Sequence, residues 1–128
     1  MTEKKDPRKS PDARKRLGAW GEDAACKYLQ RAGYGIVARN FKAKTGEIDM
    51  VAVTEGVLVF VEVKTRSNFE YGQPCEAVNR EKQTKIRRTA EVFLRFAPIY
   101  QNFDLRFDVI EIVKEPEKAY LRHLKSAF

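Results

Sequence analysis

A chain of 128 residues with 43% hydrophobic and 34% charged side chains has the length of one domain and apolar material for a modest core, which excludes a disordered polymer. No apolar run approaches the ~20 residues of a membrane span, the charged amino terminus lacks a signal-peptide pattern, and Cys26 and Cys75 make no metal-ligand cluster, so a reducing cytoplasm is the expected home. A formal net charge of +7 favours a polyanionic partner.

Lys4, Lys5, Arg8, Lys9, Arg14, Lys15 and Arg16 crowd the first sixteen residues against Glu3, Asp6 and Asp12. Residues 1–13 read as a basic extension, either a solvated tail or an arm that follows phosphates, and residues 14–128 as a single domain. Ser10-Pro11-Asp12 offers an N-cap and a first-turn proline, and Gly33 a stop, which predicts a helix from Pro11 to Ala32. At helical spacing Leu17, Gly18, Gly21, Ala24, Ala25, Tyr28, Leu29 and Ala32 share one arc. Glycine costs about 1 kcal/mol against alanine inside a helix, so two on a packed face imply close backbone approach. Glu22, at the edge of that arc, can lean toward whatever the helix covers.

Three strands are predicted next, Tyr34 to Phe41, Gly46 to Thr54 and Val57 to Thr65, the last two joined by Glu55-Gly56 as a hairpin. Arg66 to Val78, with Gly72 and Pro74, reads as a loop, and Asn79 caps a helix to about Phe96. Lys82, Ile86, Ala90, Phe93 and Ala97 keep helical spacing there, while Lys85, Arg87, Arg88 and Arg95 make the remaining surface basic. Asp104 to Lys114 alternates as a fourth strand with a slip of phase near Ile110, and the closing AYLRHLKSAF fits either a short edge strand or a helical turn. The order α-β-β-β-α-β, with that short last element, predicts an α/β fold: a mixed β-sheet flanked by helices.

The segment VFVEVKTR sets Glu62 and Lys64 into an otherwise apolar strand, where charged residues need a partner, a metal or a task. If Glu55-Gly56 is a two-residue turn, Asp49 falls opposite Glu62 and Glu47 opposite Lys64, and period-two alternation puts all four on one face. Two opposed carboxylates repel, an arrangement that a divalent cation relieves, and oxygen ligands suit Mg²⁺ or Mn²⁺. The bland alternative is a Glu47–Lys64 ion pair at the sheet edge with Asp49 and Glu62 solvated. A one-residue change in the turn would separate Asp49 and Glu62 onto opposite faces.

An acidic residue on the first helix, Asp49 at the head of a strand and Glu62-Val63-Lys64 on the next resemble the PD-(D/E)xK nuclease superfamily. GAWGEDAACKYL, GEIDMVA, VFVEVKTR, the Lys82 helix, RFDVI and HLKSAF more closely resemble the YraN family of small bacterial proteins akin to archaeal Holliday-junction resolvases, over Leu17 to Phe128. Ile48 stands where the superfamily label has proline, as is usual for that family, and the basic stretch before Arg14 lies outside the resemblance.

The resemblance implies a restriction-endonuclease-like fold and metal-dependent hydrolysis of DNA phosphodiesters, selective for branched or flapped DNA. Asp49, Glu62 and the Val63 backbone carbonyl would hold Mg²⁺ or Mn²⁺, Glu22 would complete the site, and Lys64 would position water or meet developing charge. Glu47 and Lys82 are second-tier candidates, the former tuning Lys64, the latter reaching the phosphate or snorkelling from the core edge. Arg66, Lys85, Arg87 and Arg88 are candidates for phosphate contact, with a solvated surface as the alternative for the three helix residues. Resolving a junction needs paired active sites, hence a homodimer or another paired assembly, though no stretch identifies a dimer face, and a branch-migration ATPase is a partner by resemblance alone. Trp20, His123 and the two cysteines are expected to be structural.

Overall fold

The computed structural model describes residues 10–67 and 78–128. The first helix, α1, is Pro11–Arg31; the Ser10 hydroxyl accepts the Ala13 N–H at 3.1 Å and Pro11 occupies its first position. It ends where Gly33 takes φ +93°, and the Tyr34 N–H folds back onto the Leu29 carbonyl at 2.9 Å. Tyr34 therefore belongs to the helix end, and the first strand, β1, is Gly35–Ala43, one residue later than its predicted start.

Strand β2, Gly46–Thr54, and strand β3, Val57–Ser67, form the expected hairpin. Glu55 and Gly56 have φ of +45° and +77°, the twin positive angles of a type I′ turn, and Thr54 pairs with Val57 as a two-residue loop requires. Arg66 and Ser67, predicted as loop, extend β3; the rest of that predicted loop up to residue 77 lies outside the described residues. Asn79 caps helix α2, Arg80–Phe96, which a 3-10 turn at Pro98–Tyr100 follows.

Strand β4, Asp104–Lys114, pairs in parallel with β3 along its whole length, from Val57↔Asp104 to Ser67↔Lys114, without a shift. The slip anticipated near Ile110 is therefore absent. Both faces of β4 are covered, so Phe107 and Val109 enter the core under α2 while Ile110 and Ile112 enter the core under α1. The tail resolves as an edge strand, β5, Ala119–Leu124, antiparallel to β4.

The sheet order is β1-β2-β3-β4-β5, with α1 on one face and α2 on the other. This is a restriction-endonuclease-like α/β arrangement. No described helix is long and apolar enough to cross a membrane. One glycine inference is met sharply: a Cβ on Gly21 would lie 1.9 Å from Thr65 Oγ1, so α1 touches β3 at that point, whereas a Cβ on Gly18 would meet nothing within 4 Å.

Candidate functional site

Asp49 sits where two strands lose their alternation together. Ala38 and Val51 face the α2-side core, Arg39 pairs with Met50, and the next pair in register is Phe41 with Ile48, which face the α2-side core again. Asn40, skipped between them, adopts φ +53°. That reversal of the pleat takes Asp49 out of the pairing with β1, and the β2–β3 ladder ends at Met50↔Val61. In place of the next ladder bond, Asp49 Oδ2 accepts the Val63 N–H at 2.8 Å.

Glu47 and Lys64 do not meet as predicted. Beyond Met50 the ladder no longer joins β2 to β3; Glu47 is paired with Lys42 of β1, and Lys64 has Glu111 of β4 as its neighbour in register. Nor do all four charges share one face, because the pleat reversal breaks the alternation that the prediction assumed. Asp49 lines a cleft of about 300 Å³ on the α1 side with Arg14, Leu17, Gly18, Glu22, Val63 and Thr65, so the helix acid does reach the same space.

Glu62, 10% exposed, is met from the opposite side by α2: Lys82 Nζ lies 2.5 Å from its Oε1. Asn79 Oδ1 accepts the Lys82 N–H at 2.8 Å, so the helix cap itself fixes the backbone from which this lysine reaches. A lysine in the first helical turn opposes the helix dipole, and the Glu62 carboxylate is what compensates it. Lys82, 45% exposed, is in this arrangement the salt partner of the site glutamate.

The electrostatics centre on Asp49. Its carboxyl is pushed up to about 7, first by burial and then by the Glu62 charge, with Glu22 and Glu47 adding to the repulsion and the Val63 N–H partly relieving it. Burial acts to lower the Lys82 ammonium, but its hydrogen bond to Glu62 and the charges of Glu62, Asp49 and Glu47 outweigh that and hold it above the ordinary lysine value. Four carboxylates therefore share one region, and the nearest lysine answers their demand for positive charge.

The remaining candidates scatter. Arg66 is 23% exposed and bonds Glu111 Oε1 at 2.5 Å. Lys85 pairs with Glu81 at 3.5 Å on the open face of α2, Arg88 is exposed, and Arg87 lays its guanidinium 4.7 Å from the centre of the Phe107 ring and 5.5 Å from that of Phe128. Trp20 packs against the α1-side core with Lys114 Nζ 4.8 Å from its ring centre. Cys26 is a partly buried free thiol, and Cys75 lies outside the described residues.

The family model described as "Uncharacterised protein family UPF0102" matches residues 21–112, which hold Glu22, Asp49, Glu62, Lys64 and Lys82. The chain belongs to the UPF0102 (YraN) family. It is 46% identical to a UPF0102 protein of Clostridium botulinum strain 657 over 99 residues, covering 77% of this chain and 80% of the relative. A UPF0102 protein of Caldanaerobacter subterraneus subsp. tengcongensis is 42% identical over 118 residues, covering 90% and 96%. One from Alkaliphilus oremlandii is 44% identical over 115 residues, covering 89% and 98%.

Two buried polar clusters of this UPF0102 chain went unrecognised in the sequence. Glu111 on β4, 7% exposed, bonds Arg66 of β3 and Arg122 of β5, the latter at 2.9 Å. Asp108, fully buried, accepts from Arg106 through both oxygens, from the Ser126 N–H at 3.0 Å, and contacts His123 Nε2 at 2.7 Å; His123 Nδ1 in turn meets the Tyr28 hydroxyl at 2.9 Å. His123 is 4% exposed, held between Asp108 and Tyr28. The only signal available was the charge interrupting RFDVIEI, and nothing in one strand says which partners arrive from its neighbours.

Among the described residues, no three His, Cys, Asp or Glu side chains converge closely enough to ligate a cation as they stand. The donor set fits a hard divalent ion all the same: Asp49, Glu62 and the Val63 carbonyl offer oxygen only, with Glu22 across the cleft. Mg²⁺ is commonly held by one or two carboxylates and keeps several waters, so it does not require three side chains to meet at a point.

Proposed function

We propose that this protein is a Mg²⁺- or Mn²⁺-dependent DNA endonuclease that hydrolyses phosphodiesters, selective for branched or flapped intermediates of recombination or repair. The observation that carries the proposal is the placement of Asp49: held by the Val63 N–H, it lines one cleft with Glu22 at the end of the strand that bears Glu62. A carboxyl pushed up to about 7 by burial and by the neighbouring Glu62, Glu22 and Glu47 gains most from a cation beside it. The clustering of these groups at a strand end, with a lysine two residues past Glu62, supports the same chemistry.

A bound ion would supply Lewis-acid polarisation and charge neutralisation at a phosphoryl oxygen. The protein's own residues have separate tasks. Asp49, its orientation fixed by the Val63 N–H, and Glu22 from α1 line the cleft, and Glu62 adds its charge from the α2 side of the same strand end. Lys64 orients the attacking water or meets charge developing on the phosphate, and Lys82 holds Glu62 in place. Arg66, together with the basic face of α2, holds the DNA backbone. The reaction belongs in the bacterial cytoplasm, and paired cuts call for a second copy of the chain. A branch-migration ATPase as a further partner rests on the family resemblance alone.

Cleavage of labelled four-way junction, flap, single-stranded and duplex DNA with Mg²⁺, Mn²⁺ or EDTA tests the proposal, with Asp49→Asn and Lys64→Ala beside the wild type. Metal-dependent cutting lost in both variants is expected, whereas no cutting of any substrate with either metal would overturn it.

A second function is favoured by the Lys82–Glu62 contact at 2.5 Å, in which the protein neutralises its own carboxylate. On that basis the chain is a nucleic-acid-binding module that does not cut by itself. DNA binding unaffected by Asp49→Ala, without metal-dependent cleavage, would select this function.

A further inference from the structure

Lys64, Glu111 and Arg122 form one row across three strands: Lys64 is the register partner of Glu111, and Glu111 that of Arg122. Strand spacing places the two ends of the row about 10 Å apart, and Arg66, two positions past Lys64 on the same face of β3, lies about 7 Å along the strand. The row is on the α2 side, since Phe107, Val109 and Glu111 alternate onto the face that α2 covers. Glu62, two residues before Lys64, meets Lys82 on that same side.

The carboxylate in the row is almost wholly buried, yet each of its oxygens is taken by an arginine from a different strand: Oε1 by Arg66 at 2.5 Å and Oε2 by Arg122 at 2.9 Å. Three cations around one carboxylate leave an excess of positive charge. Their mutual repulsion is tolerable because Glu111 lies among them, and its two bonds fix both guanidinium groups. Arg122 remains 62% exposed, and a guanidinium bonded through one Nη2 keeps a fork of donors for a further oxyanion.

We infer that Arg66 and Arg122, oriented by the buried Glu111, form a phosphate-binding platform that holds the DNA backbone beside the Asp49–Glu62 site. Arg122 is the added contact and Glu111 its positioning residue. This rests on the DNA-directed function proposed above. It extends the nucleic-acid surface from β3 to the edge strand β5 on the α2 side of the sheet.

The test is fluorescence anisotropy of labelled four-way junction and duplex DNA in EDTA across a KCl series, for wild type, Arg122→Ala, Arg122→Lys and Glu111→Gln, with thermal melting of each. Arg122→Ala is expected to melt somewhat below wild type, because Oε2 of the buried Glu111 loses its partner, and, at a temperature where it is fully folded, to bind severalfold more weakly at low salt and to lower the slope of log K against log[salt] by about one. Arg122→Lys restores the slope. Glu111→Gln lowers affinity with the slope retained, since both arginines keep their charge and lose their orientation. An unchanged affinity and slope in Arg122→Ala overturns the platform. Wild-type cleavage with Mn²⁺ is measured in parallel: if it persists while Arg122→Ala binds normally, only the platform falls, and if wild type neither binds nor cuts, both proposals fall.

Discussion

Lys82 Nζ stands 2.5 Å from Glu62 Oε1, so the helix on one face of the sheet places a positive charge on the strand carboxylate whose own charge acts on Asp49. On the function proposed above, a lysine and a divalent cation would compete for the same oxygen-rich region. Replacing Lys82 with methionine leaves a carboxylate that is 10% exposed without its partner and costs about 1–2 kcal/mol in EDTA. Added Mn²⁺ is expected to recover that loss, so the Tm rise on adding Mn²⁺ exceeds that of wild type. An equal or smaller rise would show that Glu62 does not take the cation.

Asp49 makes stability pH-dependent in a direction opposite to that of a paired carboxylate. Its ordinary value is 3.8 and in the folded chain it is about 7, so between those values the folded state holds a proton that the unfolded state has lost. Metal-free stability therefore falls as pH rises from about 4 to about 7 and levels off above. Asp49→Asn removes the effect, and Asn can still accept the Val63 N–H. The variant should be more stable than wild type by roughly 2–4 kcal/mol at pH 8.5 in EDTA, with the difference vanishing near pH 4. Urea melts at four pH values measure it, and a pH-independent difference would refute the assignment.

Asp108 behaves in the usual sense. Burial alone would raise it, but hydrogen bonds from His123, Arg106 and the Ser126 N–H hold it below the ordinary value of 3.8. Its contribution to stability is complete above the unfolded value and is lost as pH falls through the lower folded one. At pH 7 Asp108→Asn should cost about 3–5 kcal/mol by leaving Arg106 and His123 without their buried anion. The deficit narrows below pH 3.8, a convergence that acid-range denaturation curves will show or deny.

Two glycines on the same helix should respond oppositely to alanine. At Gly21 the new Cβ would fall 1.9 Å from Thr65 Oγ1, forcing α1 off β3 at the edge of the site, at a cost of about 1–3 kcal/mol. At Gly18 the Cβ meets nothing, and the helix gains up to about 1 kcal/mol. Thermal melting of the two variants separates the outcomes, and destabilisation by Gly18→Ala would contradict the open space above the cleft.

The turn at Glu55-Gly56 offers a stabilising change. Glu55 is held at φ +45°, where asparagine is more at ease, so Glu55→Asn should raise stability, read as a higher Tm, by about 0.5–1 kcal/mol. A lowered Tm would mean that Glu55 has contacts beyond the turn.

Much of the fold was legible because its signals are local. Ser10 and Asn79 cap the helices they precede, Gly33 ends the first, and Glu55-Gly56 sets the register from Thr54↔Val57 to Met50↔Val61. That register also brought Asp49 and Glu62 to one strand end, and of the two α1 glycines expected to permit a close approach, Gly21 does so, against β3, and Gly18 does not. The signals failed where alternation assumed a regular pleat. Asn40 reverses it and turns Asp49 from the predicted common face toward the α1 cleft, and no rule for a single strand contains that event. Likewise the supposed slip at Ile110 was a strand covered on both sides, a condition visible only once two helices are in place.

By itself the sequence determined the elements, the hairpin and the acidic and basic residues that a nuclease-like site would need, because caps, turns and periodicity are written within a few residues of each other. Only the tertiary structure decided that Lys82 answers Glu62 from α2, that Glu47 and Lys64 part company, and that Glu111 gathers Arg66 and Arg122 from the strands on either side. Those partners are far apart along the chain, and their meeting depends on sheet order and helix placement, which are fixed by burying two separate cores at once.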